Sequence, residues 1–138
     1  MESIKPKVQP DDMDAVFFAA LAEAGKLCLQ NCNDCETWTH PARYFCPNCG
    51  SDAYSFRPVS GKAEIHSYTI SHFSVESQWK DKVPYAAIVA ETAEGPRLVT
   101  KTEIPRDQIR IGAPISVSAE VIDADFSFFW SGRPEDKK

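Results

Sequence analysis

Apolar side chains recur at Met13, Val16, Phe17, Ala20, Leu21 and Ala24, the i, i+3, i+4, i+7 rhythm of an amphipathic helix. Asp11 or Asp12 is placed to cap its first turn, and Gly25 followed by Lys26 marks its end. Phe18 falls off this stripe and reads either as a solvent-exposed aromatic or, preferably, as a second apolar edge meeting another chain. Residues 1 to 10, with two prolines and mixed charge, read as an extended arm. After Gly61 the period changes from 3.6 to 2. Residues 63 to 74 are rich in alternating and β-branched side chains, and Pro84 opens Tyr85–Thr92, a buried strand. Ala93-Glu-Gly-Pro96 supplies turn chemistry, and Arg97–Lys101 returns as the hairpin partner. Ile115–Val121 alternates cleanly, and Phe126–Trp130 forms a last aromatic strand. Five strands with no room for crossover helices predict a small closed antiparallel barrel of the five-stranded OB type.

Between helix and barrel lie Cys32-Asn-Asp-Cys35 and Cys46-Pro-Asn-Cys49, two Cys-x-x-Cys pairs separated by ten residues. Each pair can wrap one side of a metal ion while the intervening segment folds back as a short hairpin, so Cys32, Cys35, Cys46 and Cys49 read as the ligands of one structural Zn2+. A redox dithiol needs one such pair at a helix N-terminus, not two facing pairs. With four protein ligands no position remains for a catalytic water. Gly50 suits the positive φ of the second knuckle, whereas Glu36 occupies the equivalent place in the first and predicts a less regular turn. Trp38, His40, Pro41, Tyr44 and Phe45 are the candidates for a tiny ribbon core, with His40 packing beside Pro41 rather than binding metal. Cys28 reads as the filler of a small apolar slot.

The 138 residues have room for one ordinary domain or one small core with an appendage. Hydrophobic residues at 43% and charged residues at 25% are a soluble globular balance, and the apolar run at Ala15–Leu21 is far too short to span a membrane. The opening Met-Glu-Ser-Ile-Lys-Pro lacks the pattern of a signal peptide, so a cytoplasmic protein with reduced thiols is expected. Net charge is −5, which disfavours general nucleic-acid binding. Between residues 76 and 110 Lys80, Lys82, Arg97, Lys101, Arg106 and Arg110 are matched by six acidic residues, a poor electrostatic track for a single strand. No phosphate loop, dinucleotide fingerprint or nucleophile elbow occurs. His66 and His72 would share one face of a regular strand, but no nucleophile accompanies them, and no catalytic residue is assigned.

Helix, four-cysteine ribbon and barrel in that order resemble the zinc-ribbon plus OB-fold family known as domain of unknown function thirty-five, or acyl-CoA-associated zinc-finger proteins. The resemblance runs from about Met13 to Trp130. It is carried by Phe17–Cys35, Cys46-Pro-Asn-Cys-Gly50, Gly61–Thr69, Val83-Pro-Tyr85, Glu94-Gly-Pro-Arg-Leu98 and Ile111-Gly-Ala-Pro-Ile115. The ribbon motif alone is unspecific; its combination with Val-Pro-Tyr and Gly-Pro-Arg at these separations is much more specific. The resemblance implies a mainly β chain with an N-terminal arm and helix (1–25), a rubredoxin-like zinc ribbon (26–58) and a C-terminal OB-fold domain (59–138).

It also implies a partner rather than a reaction. Members of the family serve as small non-catalytic subunits of thiolase-like enzymes that make or break carbon–carbon bonds in acyl-CoA substrates. The expected complex is a hetero-oligomer, with a CoA ester at the shared interface and Arg97 as a candidate phosphate contact. The alternative is a single-stranded nucleic-acid-binding module, a role common among both OB barrels and zinc ribbons. In the last strand, alternation puts Phe126, Phe128 and Trp130 on one face, expected to be core, and Phe129 on the other. Phe129 and Phe18 are thus expected on a docking surface.

Overall fold

The computed structural model describes residues 13–75 and 80–135. The expected N-terminal arm, the Asp11 or Asp12 cap and the last three residues of the tail lie outside them. Helix α1 spans Met13–Ala24. Gly25 ends it with φ 68°, its N–H donating to the Leu21 carbonyl at 2.8 Å, as the glycine after the apolar run predicted. The buried stripe is narrower than the sequence pattern: Met13, Phe17 and Leu21 are buried, while Val16 is 40% exposed. Phe18 is half-buried with its ring 4.9 Å from that of Phe126, so the second apolar edge meets the chain's own barrel.

The ribbon is a three-stranded antiparallel sheet in the order β2 (Trp38–Thr39), β1 (Cys28–Cys32), β3 (Tyr54–Pro58). The segment between the knuckles does not fold back on itself as the expected hairpin: its one strand, β2, pairs instead with β1 across the first knuckle, Gln30↔Thr39 and Asn31↔Trp38. The longer ladder joins β1 to β3, from Cys28↔Pro58 to Cys32↔Tyr54, and so closes only after the second knuckle. Every residue of β1 is buried. Leu27, Cys28 and Leu29 join Phe17 and Leu21 of α1 in one continuous core with the barrel residues Ile65, Ile88, Leu98 and Val117. The ribbon therefore borrows its core. Tyr44 and Phe45, expected inside it, are 58% and 65% exposed, because the segment between the knuckles forms its outer wall.

The barrel comprises β4 (Lys62–Ser71), β5 (Tyr85–Thr92), β6 (Arg97–Thr102), β7 (Pro114–Asp123) and β8 (Phe126–Gly132). It closes in the order β4-β5-β6-β8-β7, with β7 returning to β4. Closure is not wholly antiparallel. β8 hairpins with β7 and must then lie parallel to β6, pairing Lys101↔Trp130 and Thr102↔Ser131. Strand β5 shows the cleanest alternation, with Ala86, Ile88, Ala90 and Thr92 turned inward. A register shift between Ile65 and Ser67 breaks the alternation of β4. His66 and His72, both exposed, therefore do not share a regular face, and His72 lies past the strand end.

The last strand buries both of its faces: Phe126 and Trp130 are buried, as expected for that aromatic face, but the opposite face, expected to be free, is turned to the core as well. Ser131 is paired with Val117 and Phe129 with Ala119, so Phe129 shares the face of the core valine. Buried Thr100 of the adjacent β6 donates to Ser131 Oγ at 2.8 Å on that same face. Phe129 packs against the core with its ring 5.9 Å from Phe17. It is not a free anchor beside a polar tail. Phe126, Phe128 and Trp130 lie on the other side of the ladder, where Lys101 Nζ sits 4.9 Å from the Phe128 ring centre. Among the described residues no helix is long and apolar enough to cross a membrane.

Candidate metal centre

The two knuckles are built alike. The Glu36 N–H donates to the Cys32 carbonyl at 2.9 Å, and the Gly50 N–H to the Cys46 carbonyl at 2.9 Å. The Cys32 N–H reaches the Thr37 carbonyl at 3.0 Å, and the Cys46 N–H reaches the Ser51 carbonyl at 2.8 Å. Glu36 takes φ 62° where Gly50 takes φ 79°. The first turn is thus as regular as the second, contrary to the expectation from its missing glycine. Asn31 Nδ2, donating to the Glu36 carbonyl at 2.9 Å, holds the strained residue in place.

These turns bring four sulfurs together. All four lie within 4.8 Å of one another, with Cys32–Cys49 and Cys35–Cys46 each at 3.6 Å. A tetrahedral zinc with Zn–S bonds of about 2.3 Å separates its sulfurs by roughly 3.8 Å, so the four cysteines are positioned to bind one metal ion. Among the described residues this is the one cluster of Cys, His, Asp or Glu that could hold a metal. His40 does not join it, and Cys28 is buried in the core cluster, where burial pushes its thiol up.

The donors around the cluster are unevenly shared. The Thr37 hydroxyl lies 3.1 Å from Cys35 Sγ, and Asn48 Nδ2 reaches the same sulfur from the facing knuckle at 3.5 Å. With Thr37 as the main cause and Asn48 next, the Cys35 thiol is lowered to about 6. Cys49 is pushed up to about 12: the Ser51 backbone N–H favours its thiolate, but the crowding Cys35 and Cys32 sulfurs outweigh it. Four thiolates in this space need a cation among them, so metal entry and proton release are coupled here. Further bonds tie the knuckles together. Ser51 Oγ donates to Asp34, and Ser55 Oγ donates to Asn33 Oδ1 at 2.8 Å. Buried Gln30 holds the segment between the knuckles, donating to the Arg43 carbonyl at 2.7 Å and accepting from its N–H at 2.8 Å.

Thr37, Asn48 and Gln30 were missed in the sequence. The only local signal is a polar side chain inside or just after each Cys-x-x-Cys, and the Gln30-Asn31 pair that follows Leu27-Cys28-Leu29. Arg97, the candidate phosphate contact, has its guanidinium 3.5 Å from Glu91 on the exposed side of β5 and β6.

A zinc ribbon joined to a five-stranded OB-fold defines the class of protein. The ChsH2 rubredoxin-like zinc ribbon domain matches residues 19–55 and the ChsH2 C-terminal OB-fold domain matches residues 56–120. The chain belongs to this ChsH2-type DUF35 family. It is similar to the solved "Ltp2-ChsH2(DUF35) aldolase", at 28% identity and a TM-score of 0.77, covering 96% of this chain and 100% of that one. A DUF35-family protein of unknown function from Sulfolobus solfataricus has the same fold, with a TM-score of 0.54 at 18% identity over 88% of this chain and 87% of that chain. A probable enoyl-CoA hydratase alpha subunit from Thermomonospora curvata is 31% identical over 115 residues, 83% of this chain. The matched region is 35% of that relative, so the chain spans about a third of its length.

Proposed function

We propose that this protein is a non-catalytic accessory subunit of a thiolase-like acyl-CoA enzyme that makes or breaks carbon–carbon bonds, acting in the cytoplasm. The observation that carries the reading is its likeness, over the full length of the matched chain, to the solved Ltp2-ChsH2(DUF35) aldolase. The relative described as an enoyl-CoA hydratase subunit supports acyl-CoA chemistry from an independent direction. Cys32, Cys35, Cys46 and Cys49 hold one structural Zn2+, which staples a ribbon too small to fold on its own core. Residues 1–25, 26–58 and 59–138 act as arm and helix, ribbon and OB-fold unit. The helix and barrel present the docking surface, the partner supplies the catalytic residues, and a CoA ester lies at the shared interface.

The OB-fold favours one other reading, single-stranded nucleic-acid binding. The surface charges count against it. Lys101 Nζ is 2.5 Å from Glu120, and Arg97 faces Glu91, so two cations of the would-be track already meet carboxylates.

The test is turnover of acyl-CoA substrates by the chain alone, by the thiolase-like subunit alone, and by both. The expected result is no activity from this chain and a higher rate or longer lifetime for the mixture. Turnover by the isolated chain, or a partner equally active and stable without it, contradicts the proposal.

A further inference from the structure

His40 sits where the three parts of the molecule meet. It follows β2 in the ribbon, and its ring lies 5.4 Å from Phe17 of α1 and 5.3 Å from Phe129 of β8. Phe17 is itself 5.9 Å from Phe56 of β3. The imidazole thus completes an aromatic cluster that holds the ribbon to helix and barrel. Its Nδ1 is buried and finds no hydrogen-bond partner among the described residues. A packing role alone would suit phenylalanine equally well at this position. The difference imidazole makes is a proton.

We propose that His40 is a proton-sensitive joint: neutral, it locks the ribbon onto α1 and β8; protonated, it loosens that packing. Burial favours the neutral ring and holds its pKa below the ordinary imidazole value, while the Asp14 carboxylate on α1 partly offsets this. The charged groups around it are few. α1 brings Asp14, the groove beside the ring is lined by Glu36 and Arg43 of the ribbon and Glu94 of the β5–β6 turn, and β8 carries no ionisable side chain. Asp14 moderates the device rather than abolishing it. Released from the cluster, His40 regains its ordinary pKa of about 6.5 and binds a proton more readily than when docked. The docked arrangement is therefore fully favoured above that value and is weakened as pH falls towards the depressed one.

The experiment is amide hydrogen exchange on the zinc-loaded chain at about pH 7.5 and about pH 5.5, corrected for intrinsic rates, with metal content checked at both. Protection of α1 and of residues 38–41 is expected to fall severalfold at the lower pH in the wild type and to stay flat in His40→Phe. Asp14→Asn should enlarge the fall, which keeps the test decisive if His40→Phe fails to fold. A fall of wild-type size in His40→Phe overturns the proposal. So does a fall in Asp14→Asn no larger than that of the wild type, or unchanged wild-type protection at the lower pH with zinc still bound.

Discussion

Glu36 and Gly50 occupy the same place in two turns with the same hydrogen-bond pattern, each with positive φ and each donating its N–H to the carbonyl of the knuckle's first cysteine at 2.9 Å. Glycine accepts that conformation freely, whereas a residue with a Cβ is strained there by roughly 1–2 kcal/mol. Glu36→Gly should therefore stabilise the ribbon by about 1 kcal/mol after the extra chain entropy of glycine is subtracted. Chemical denaturation of the zinc-loaded protein measures this. A loss of stability would mean that the Glu36 side chain makes a contribution larger than the strain.

The metal account predicts close to one zinc per chain and co-operative loss of the ribbon on chelation. Cys46→Ser should abolish tight binding, while Cys28→Ser, in the core and outside the cluster, should leave metal content unchanged. Asn48→Ala removes the donor that crosses from one knuckle to the other, and should weaken zinc affinity by about tenfold. Competition with a chromophoric chelator reads both effects. Equal affinities for wild type and Asn48→Ala would remove that bond from the account.

At Gly61 the limit is space as well as φ. A Cβ there would stand 2.6 Å from the Val117 carbonyl oxygen, and φ is 81°. The Val117 N–H donates to the Gly61 carbonyl at 2.8 Å, so neither backbone can retreat without losing a bond that joins the start of β4 to β7. Gly61→Ala should cost about 2 kcal/mol or more, seen as a lower thermal midpoint. An unchanged midpoint would show that this corner of the barrel yields.

Phe129→Ala should act on the fold. With its ring packed against Phe17 and His40, truncation should lower monomer stability by about 2 kcal/mol, somewhat less than for a fully buried phenylalanine. Thermal unfolding of the isolated chain checks it. A normal midpoint with weakened partner binding would restore Phe129 to a docking surface.

Much of this architecture was legible in sequence because its signals are local. The helix stop at Gly25, the two cysteine pairs and the alternation of β5 each rest on a few neighbouring residues. What failed depended on distant partners. Alternation put Phe129 opposite the Phe126–Trp130 face, but only the register Val117↔Ser131 reveals that Phe129's face is turned to the core as well. Tyr44 and Phe45 were expected inside because an isolated ribbon would need them, whereas α1 supplies that apolar surface instead. The bulge after Ile65 that separates His66 from His72 has no local glycine or proline to announce it.

Affinity purification of the tagged protein from its native cells, followed by native mass measurement and identification of the co-purifying chain, tests the accessory-subunit reading most directly. The account predicts a stoichiometric complex with a thiolase-like acyl-CoA enzyme, whose activity or stability falls when this chain is removed. A protein recovered alone, or bound instead to single-stranded nucleic acid at physiological salt, would contradict it.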